Sequence, residues 1–136
     1  MPSDSRIDPR VKARIPTQLK ISGGPQLEIW MDNISITGLM LEASRDDFQK
    51  ILVNSKGLHI HEPVEVDLKF SLPGKAVAQV TVNAHCRAIY VRRQSQNKYY
   101  IGFKFLKITQ RSKMAVNRYI NHKLAPTINP MTCSEK

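Results

Sequence analysis

The sequence predicts a mainly β protein, a six-stranded antiparallel β-barrel with a C-terminal α-helix and a short helix between strands. Three observations predict it. From Thr17 onward, apolar and polar residues alternate with period two over most of the chain, the pattern of strands with one wet and one buried face. Glycine, proline and polar clusters interrupt that alternation at intervals too short for parallel crossovers, so neighbouring strands pair antiparallel. A helical repeat of apolar residues lies near the C-terminus, where it can cap a closed sheet. A chain of 136 residues carries one hydrophobic core, and closing the sheet removes the free edges that would invite aggregation.

The elements follow in order. A first strand is read near residues 17–21 and a second at 27–33, with Gly23-Gly24-Pro25 as the hairpin turn between them. The third occupies 38–42. Ser44 then caps a short helix over 44–53, with Asp46 and Asp47 in its first turn, where the helix dipole favours negative charge. Val64-Glu-Val-Asp-Leu-Lys-Phe70 is the cleanest alternation, and Pro73-Gly74 turns it into a strand over 75–91. A polar segment at 93–98 turns into the last strand at 99–106. Ile108, Ala115, Val116, Tyr119, Ile120 and Leu124 fall at helical spacing, with Arg111, Lys113 and Arg118 on the other side. Pro126 and Pro130 are expected to end this helix. The chain thus divides into a flexible arm at 1–14, a barrel and helix at 15–124, and a mobile tail at 125–136.

The 21 lysines and arginines outnumber the 11 acidic residues, giving a net charge of +10 that draws anionic partners. Arg6, Arg10, Lys12, Arg14 and Lys20 share the first twenty residues with Asp4 and Asp8 alone, which makes that end the place to look for a phosphate site. No apolar run approaches the roughly eighteen residues of a membrane span, and the N-terminus lacks an apolar signal region. A cytoplasmic protein without membrane insertion is expected. Cys86 and Cys133 lack the spacing of a disulfide or zinc framework. His59 and His61 have no third ligand placed beside them, and His85 and Cys86 alternate across a strand, so neither pair forms a site. No set of nucleophile, base and orienting group assembles, so no enzyme, metal or cofactor is expected. Trp30, Tyr90, Tyr99 and Tyr100 are expected to fill the core, and Arg92 and Arg93 to be a solvated hairpin end.

Two constellations remain. Arg6-Ile-Asp-Pro-Arg10 sets two guanidiniums four residues apart, and Arg10 and Arg14 form an overlapping pair. An arginine fork grips phosphate oxygens, reads the O6 and N7 edge of guanine, or stacks on a base. Asn33-Ile-Ser35-Ile-Thr-Gly38 joins two strands; Asn and Ser can bond a base edge, and Gly38 suits positive φ or close backbone approach. Each also has an ordinary reading, as surface charge and as a hairpin turn.

In this order the two elements resemble the PilZ family: an Arg-x-x-x-Arg segment, then Asp or Asn-x-Ser-x-x-Gly some twenty residues later. Val11 and Pro16 resemble the family's first strand, and Tyr100-Ile-Gly102-Phe-Lys-Phe105 its closing strand before a terminal helix. That register makes Arg6 and Arg10 the motif arginines and Arg14 an additional basic residue. The resemblance implies a receptor for the bacterial second messenger cyclic di-GMP. Arg6 and Arg10 would contact guanine and phosphate, Asn33 and Ser35 would bond a guanine, and Gly38 would let the turn close. It further implies a stand-alone adaptor whose ligand-bound form engages an unidentified protein in motility, biofilm formation or secretion, and the arginine-rich arm at 1–14 is expected to order on binding. Two other readings fit the same residues: an adaptor that binds no nucleotide, and a basic nucleic-acid-binding barrel. DNA or RNA partners are not expected on the first reading.

Overall fold

The computed structural model describes residues 9–21, 24–54, 64–73 and 79–133. In chain order the elements are β1 (Val11–Lys12), β2 (Pro16–Ile21), β3 (Gln26–Ile34), β4 (Gly38–Ser44), α1 (Arg45–Asn54), β5 (Glu65–Leu72), β6 (Val80–Ser95), β7 (Lys98–Ile108) and α2 (Gln110–Cys133). Every strand pairing is antiparallel, and β3, β2, β5, β6, β7 and β4 form a ring that the β3–β4 pairing closes. The predicted six-stranded barrel is therefore present, with a helix at its C-terminal end.

β1 and β2 lie end to end along one edge of β3. Val11 and Lys12 pair with Ile34 and Asn33, and Pro16 to Lys20 pair with Trp30 to Gln26. Across the break the Ala13 N–H donates to the Asp32 carbonyl at 3.1 Å and the Met31 N–H to the Ile15 carbonyl at 2.8 Å. Val11, Ala13, Ile15, Thr17, Leu19 and Ile21 all point into the core. The barrel thus begins at Val11, ahead of the predicted boundary at residue 15. Arg10, Lys12, Arg14 and Pro16 occupy the outward positions, and these charges made the segment read as an arm although its inward period is unbroken.

The barrel is filled by the inward set of every strand, including Leu19, Met31, Ile34, Leu41, Leu68, Val82, Ile101 and Phe103, all at most 2% exposed. Burying one such side chain stabilises by roughly 1.5–3 kcal/mol, which fixes strand parity because a one-residue slip would turn the whole set outward. Thr17, also fully buried, donates its hydroxyl to the Ile15 carbonyl at 3.2 Å.

Both helices start where side-chain chemistry satisfies their first free N–H groups. Ser44 Oγ accepts from the Asp47 N–H at 3.1 Å, with Asp46 and Asp47 in the first turn of α1, as the sequence predicts. Thr109 Oγ1 accepts from the Ser112 N–H at 3.1 Å and opens α2. α1 holds the barrel rim through buried Ile51 and through Phe48, stacked on Tyr99 with ring centroids 4.2 Å apart. α2 buries Ala115, Val116 and Ile120 and packs against β6, β1 and β5.

Three expectations change. α2 does not end at Pro126 but continues to Cys133; the fixed φ of Pro126 and Pro130 is compatible with a helix, although each removes one hydrogen bond and crowds the carbonyl of the preceding turn. The last hairpin is tighter than predicted, with strands running to Ser95 and from Lys98 around Gln96-Asn97, because polar residues pair through their backbone as well as apolar ones do. Trp30 is 45% exposed and belongs to the outer face, since Ile29 and Met31 on either side of it point inward. Among the described residues, no helix is long and apolar enough to cross a membrane.

Candidate functional site

The Asn33-Ile-Ser35-Ile-Thr-Gly38 segment is the β3–β4 hairpin turn, and β1 brings Arg10 beside it. The pairing of Lys12 with Asn33 fixes the direction of the chain, so the residue two before Lys12 reaches the same face. Arg10 Nη1 donates to Asn33 Oδ1 at 3.0 Å. The Asn33 amide nitrogen donates to Asp32 Oδ2 at 2.8 Å and approaches Met40 Sδ at 3.6 Å, while Lys12 Nζ lies 3.6 Å from Asp32 Oδ2. One amide thus links the arginine segment to the turn, and Asp32 holds that amide in place.

Ser35 and Gly38 work inside the turn. Ser35 is fully buried; its Oγ accepts from the Thr37 N–H and donates to the Gly38 carbonyl, both at 3.3 Å, and its own N–H donates to that carbonyl at 2.8 Å. Gly38 lies so close to β7 that a Cβ there would collide with the carbonyl oxygen of Phe103 and come within 3.1 Å of its carbon and 3.2 Å of Lys104 Cα. The close approach anticipated for this glycine is thus to a neighbouring strand, and it lets β4 pair with β7 from its first residue.

Outward side chains in register extend the surface across four strands. One row runs Asn33, Met40, Gly102, Tyr90; the next runs Trp30, Glu42, Tyr100, Arg92. Gly102 leaves a gap that the Tyr90 ring covers, with the Tyr90 hydroxyl 3.8 Å from Met40 Sδ. Arg14 lies over the Trp30 ring, 5.0 Å from its centroid, and donates to Glu42 Oε1 at 3.0 Å. Lys98 Nζ reaches the other Glu42 oxygen at 3.6 Å, and Arg92 sits 5.1 Å above the Tyr100 ring. Arg93 covers Tyr99 at 5.7 Å. The result is a shallow basic and aromatic face whose ring planes can stack on a base and whose guanidiniums can meet phosphate.

Of the residues singled out from sequence, the structure brings Arg10, Asn33, Ser35 and Gly38 together and places Arg14 on the adjoining row. Arg6, His59 and His61 lie outside the described residues. Sequence reasoning missed Trp30, Tyr90, Tyr100 and Met40 as parts of this face. For Trp30 the signal was available, because Leu27-Glu-Ile-Trp-Met31 already assigns it to the outward parity.

Elsewhere, His85 accepts or donates at both ring nitrogens, to Asp67 Oδ1 at 2.9 Å and Glu65 Oε1 at 2.8 Å, and Arg87 donates to Glu65 at 3.2 Å. The bonds to Asp67 and then Glu65 raise the His85 pKa, and the bonds from His85 and Arg87 lower that of Glu65. Cys86, on the inward side of the same strand, has its thiol pushed up to about 12 by burial. Among the described residues no group of three or more His, Cys, Asp or Glu could hold a metal ion.

Known proteins resemble this chain in sequence pattern and in fold. The family model of the PilZ domain matches residues 4–122. No curated protein is similar enough in sequence to match. Among solved structures, the fold is similar to the inhibitor of motility MotI/DgrA of Bacillus subtilis, with a TM-score of 0.65, 14% identity, and coverage of 86% of this chain and 50% of that one. It is similar to the PilZ domain of YcgR from Escherichia coli with c-di-GMP, with a TM-score of 0.60, 12% identity, and coverage of 92% and 95%. The K. pneumonia MrkH–c-di-GMP complex gives a TM-score of 0.57, 15% identity, and coverage of 92% and 53%. The chain therefore spans about half the length of MotI/DgrA and MrkH and nearly all of the YcgR domain. With Arg10 beside the Asn33 turn on a closed barrel and the family model matched over most of the sequence, the chain belongs to the PilZ domain family.

Proposed function

We propose that the protein is a cyclic di-GMP receptor that acts as an adaptor for a downstream protein rather than as an enzyme. The observation that carries this reading is the 3.0 Å bond between Arg10 and Asn33, which joins the arginine segment to the turn on a basic, aromatic outer face. Arg10 and Arg6 would meet guanine and phosphate, Asn33 would bond the guanine edge, Ser35 and Gly38 would shape the turn, and Arg14 would add charge over Trp30. YcgR's PilZ domain and MrkH, both similar in fold, are each described with c-di-GMP.

On this reading the ligand takes over the Arg10–Asn33 contact. A guanine offers acceptors at O6 and N7 for the guanidinium and donors for the Asn33 carbonyl oxygen, so both partners exchange one hydrogen bond for another. The exchange moves the arginine segment, and that movement is the signal read by a partner. The net charge of +10 speeds capture of a doubly anionic ligand. A cytoplasmic setting and a role in motility or biofilm control follow from the same reading.

Titration calorimetry with cyclic di-GMP tests it. Binding is expected in the parent, with at least tenfold loss in Arg10→Ala and in Asn33→Ala. Absence of heat and of thermal stabilisation in the parent would overturn the proposal. A parallel titration with single-stranded DNA would have to be tighter, and steeply weakened by salt, for the nucleic-acid reading to replace it.

A further inference from the structure

The other half of the barrel ring carries a concave surface of about 470 Å³ on β2, β5 and β6, bordered by the end of β7. That volume lies in the range of small-molecule sites, about 300–1,000 Å³. Strand register builds it from two outward rows: Gln26, Lys20, Asp67, His85 and Lys107 in one, Gln18, Lys69 and Asn83 in the other, with Glu28 next to Gln18 at the edge of the second. Lys20, Lys69 and Lys107 are therefore among the residues that line one hollow.

Lys12, Arg14, Arg87 and Lys98 each meet a carboxylate, whereas among the described residues Lys20, Lys69 and Lys107 take part in no ion pair. The one carboxylate lining the hollow, Asp67, bonds the His85 ring at 2.9 Å. No other acidic residue is near in sequence on the C-terminal side, because Asp67 is the last before Glu135. Thr109, which caps α2, forms part of the rim, and the first turn of that helix carries no acidic residue. Like charges gathered in a hollow repel one another, and an anion seated among them converts that repulsion into attraction.

We propose that this hollow is a second ligand site, for a phosphate-bearing small molecule, with Lys20, Lys69 and Lys107 holding the phosphate. The amides of Gln18, Gln26 and Asn83 present donors and acceptors to the rest of the ligand. The site shares no residue with the Arg10–Asn33 face and stands whether or not that face binds cyclic di-GMP.

The test is an amide-resolved NMR titration of the full chain with inorganic phosphate, with pyrophosphate and with AMP, each against sodium chloride of equal ionic strength. Saturable shifts are expected at Lys69, Asn83, His85, Lys107 and Thr109, with pyrophosphate or AMP tighter than phosphate. Lys69→Gln with Lys107→Gln should weaken binding at least fivefold, and Lys20→Gln alone at least twofold, which keeps the test open if the double variant does not fold. Arg10→Ala should leave the shifts at Lys69, Asn83, His85, Lys107 and Thr109 unchanged. Shifts that follow ionic strength alone, fail to saturate, or centre on Asn33 and Gly38 would overturn the proposal.

Discussion

Replacing Gly38 with alanine separates a glycine that the ligand needs from one that the barrel needs. The added Cβ would strike the Phe103 carbonyl oxygen and approach the neighbouring carbon to 3.1 Å and Lys104 Cα to 3.2 Å, and all three atoms are backbone held in the β4–β7 ladder. None can rotate away, so the strands must part. Overpacking of this kind costs about 1–3 kcal/mol. Parting them also strains the Phe105 N–H bond to the Thr37 carbonyl, now 2.9 Å, and the adjoining rungs, each a net contribution of about 1 kcal/mol. The expected loss is about 4 kcal/mol, a large share of the roughly 5–15 kcal/mol that holds a domain together.

Gly102 is the control. A Cβ there would meet only the Tyr90 ring, at 2.5 Å, and that side chain is 41% exposed and free to swing outward. Gly102→Ala should cost at most about 1 kcal/mol. Urea unfolding followed by circular dichroism, with ligand titration of each variant, checks both. If Gly38→Ala unfolds at the same urea concentration as Gly102→Ala, the packing argument is wrong. If it is stable and yet fails to bind, Gly38 serves the ligand directly.

Trp30, the single tryptophan, is half exposed beside the proposed site, so its emission should be red-shifted, quenched by iodide, and altered by cyclic di-GMP; a blue, unquenched spectrum would contradict its outward parity. Cys86, with its thiol pushed up to about 12, should resist thiol reagents at pH 8 until the protein unfolds, and prompt labelling of a folded Cys133→Ser chain would refute its burial. The Glu65–His85–Asp67 cluster should confer pH-dependent stability. The raised His85 pKa stabilises fully below its ordinary 6.5 and is lost as pH rises through the folded value, with Lys20, Lys69 and Lys107 opposing the charged ring and Arg87 held by Glu65. The lowered Glu65 pKa stabilises above its ordinary 4.5 and is lost as pH falls through the folded value. Stability from this cluster should therefore peak between about pH 4.5 and 6.5, and His85→Gln should flatten that profile in thermal melts across pH.

The strands were legible because burial enforces parity: Val64 to Phe70 alternates in sequence and appears as β5 with Val66, Leu68 and Phe70 inside. The same rule should have placed Trp30 outside, but aromatic character was weighed above parity. The first strand was hidden because every outward position from Arg10 to Pro16 is charged or proline, which resembles a solvated arm. Asn33 and Arg10 were found through the family pattern, and their mutual contact is a matter of pairing register that no local pattern encodes. Nor could sequence show that the Ser35 hydroxyl faces inward, since an exposed and a buried turn serine read alike. The aromatic face depends on β4, β7 and β6 lying side by side, a long-range arrangement of residues some fifty positions apart in the chain, as with Met40 and Tyr90.

The barrel's hold on the chain is graded from β1 to β2. β1 is held to β3 by two ladder partners, and β2 by five on β3 and four more on β5. A pull on Arg10 loads the two-rung segment first, and the bonds from the Ala13 N–H to the Asp32 carbonyl and from the Met31 N–H to the Ile15 carbonyl pass the remainder to the longer ladders. Fraying from this end should therefore begin at β1 and reach the long ladders of the barrel last.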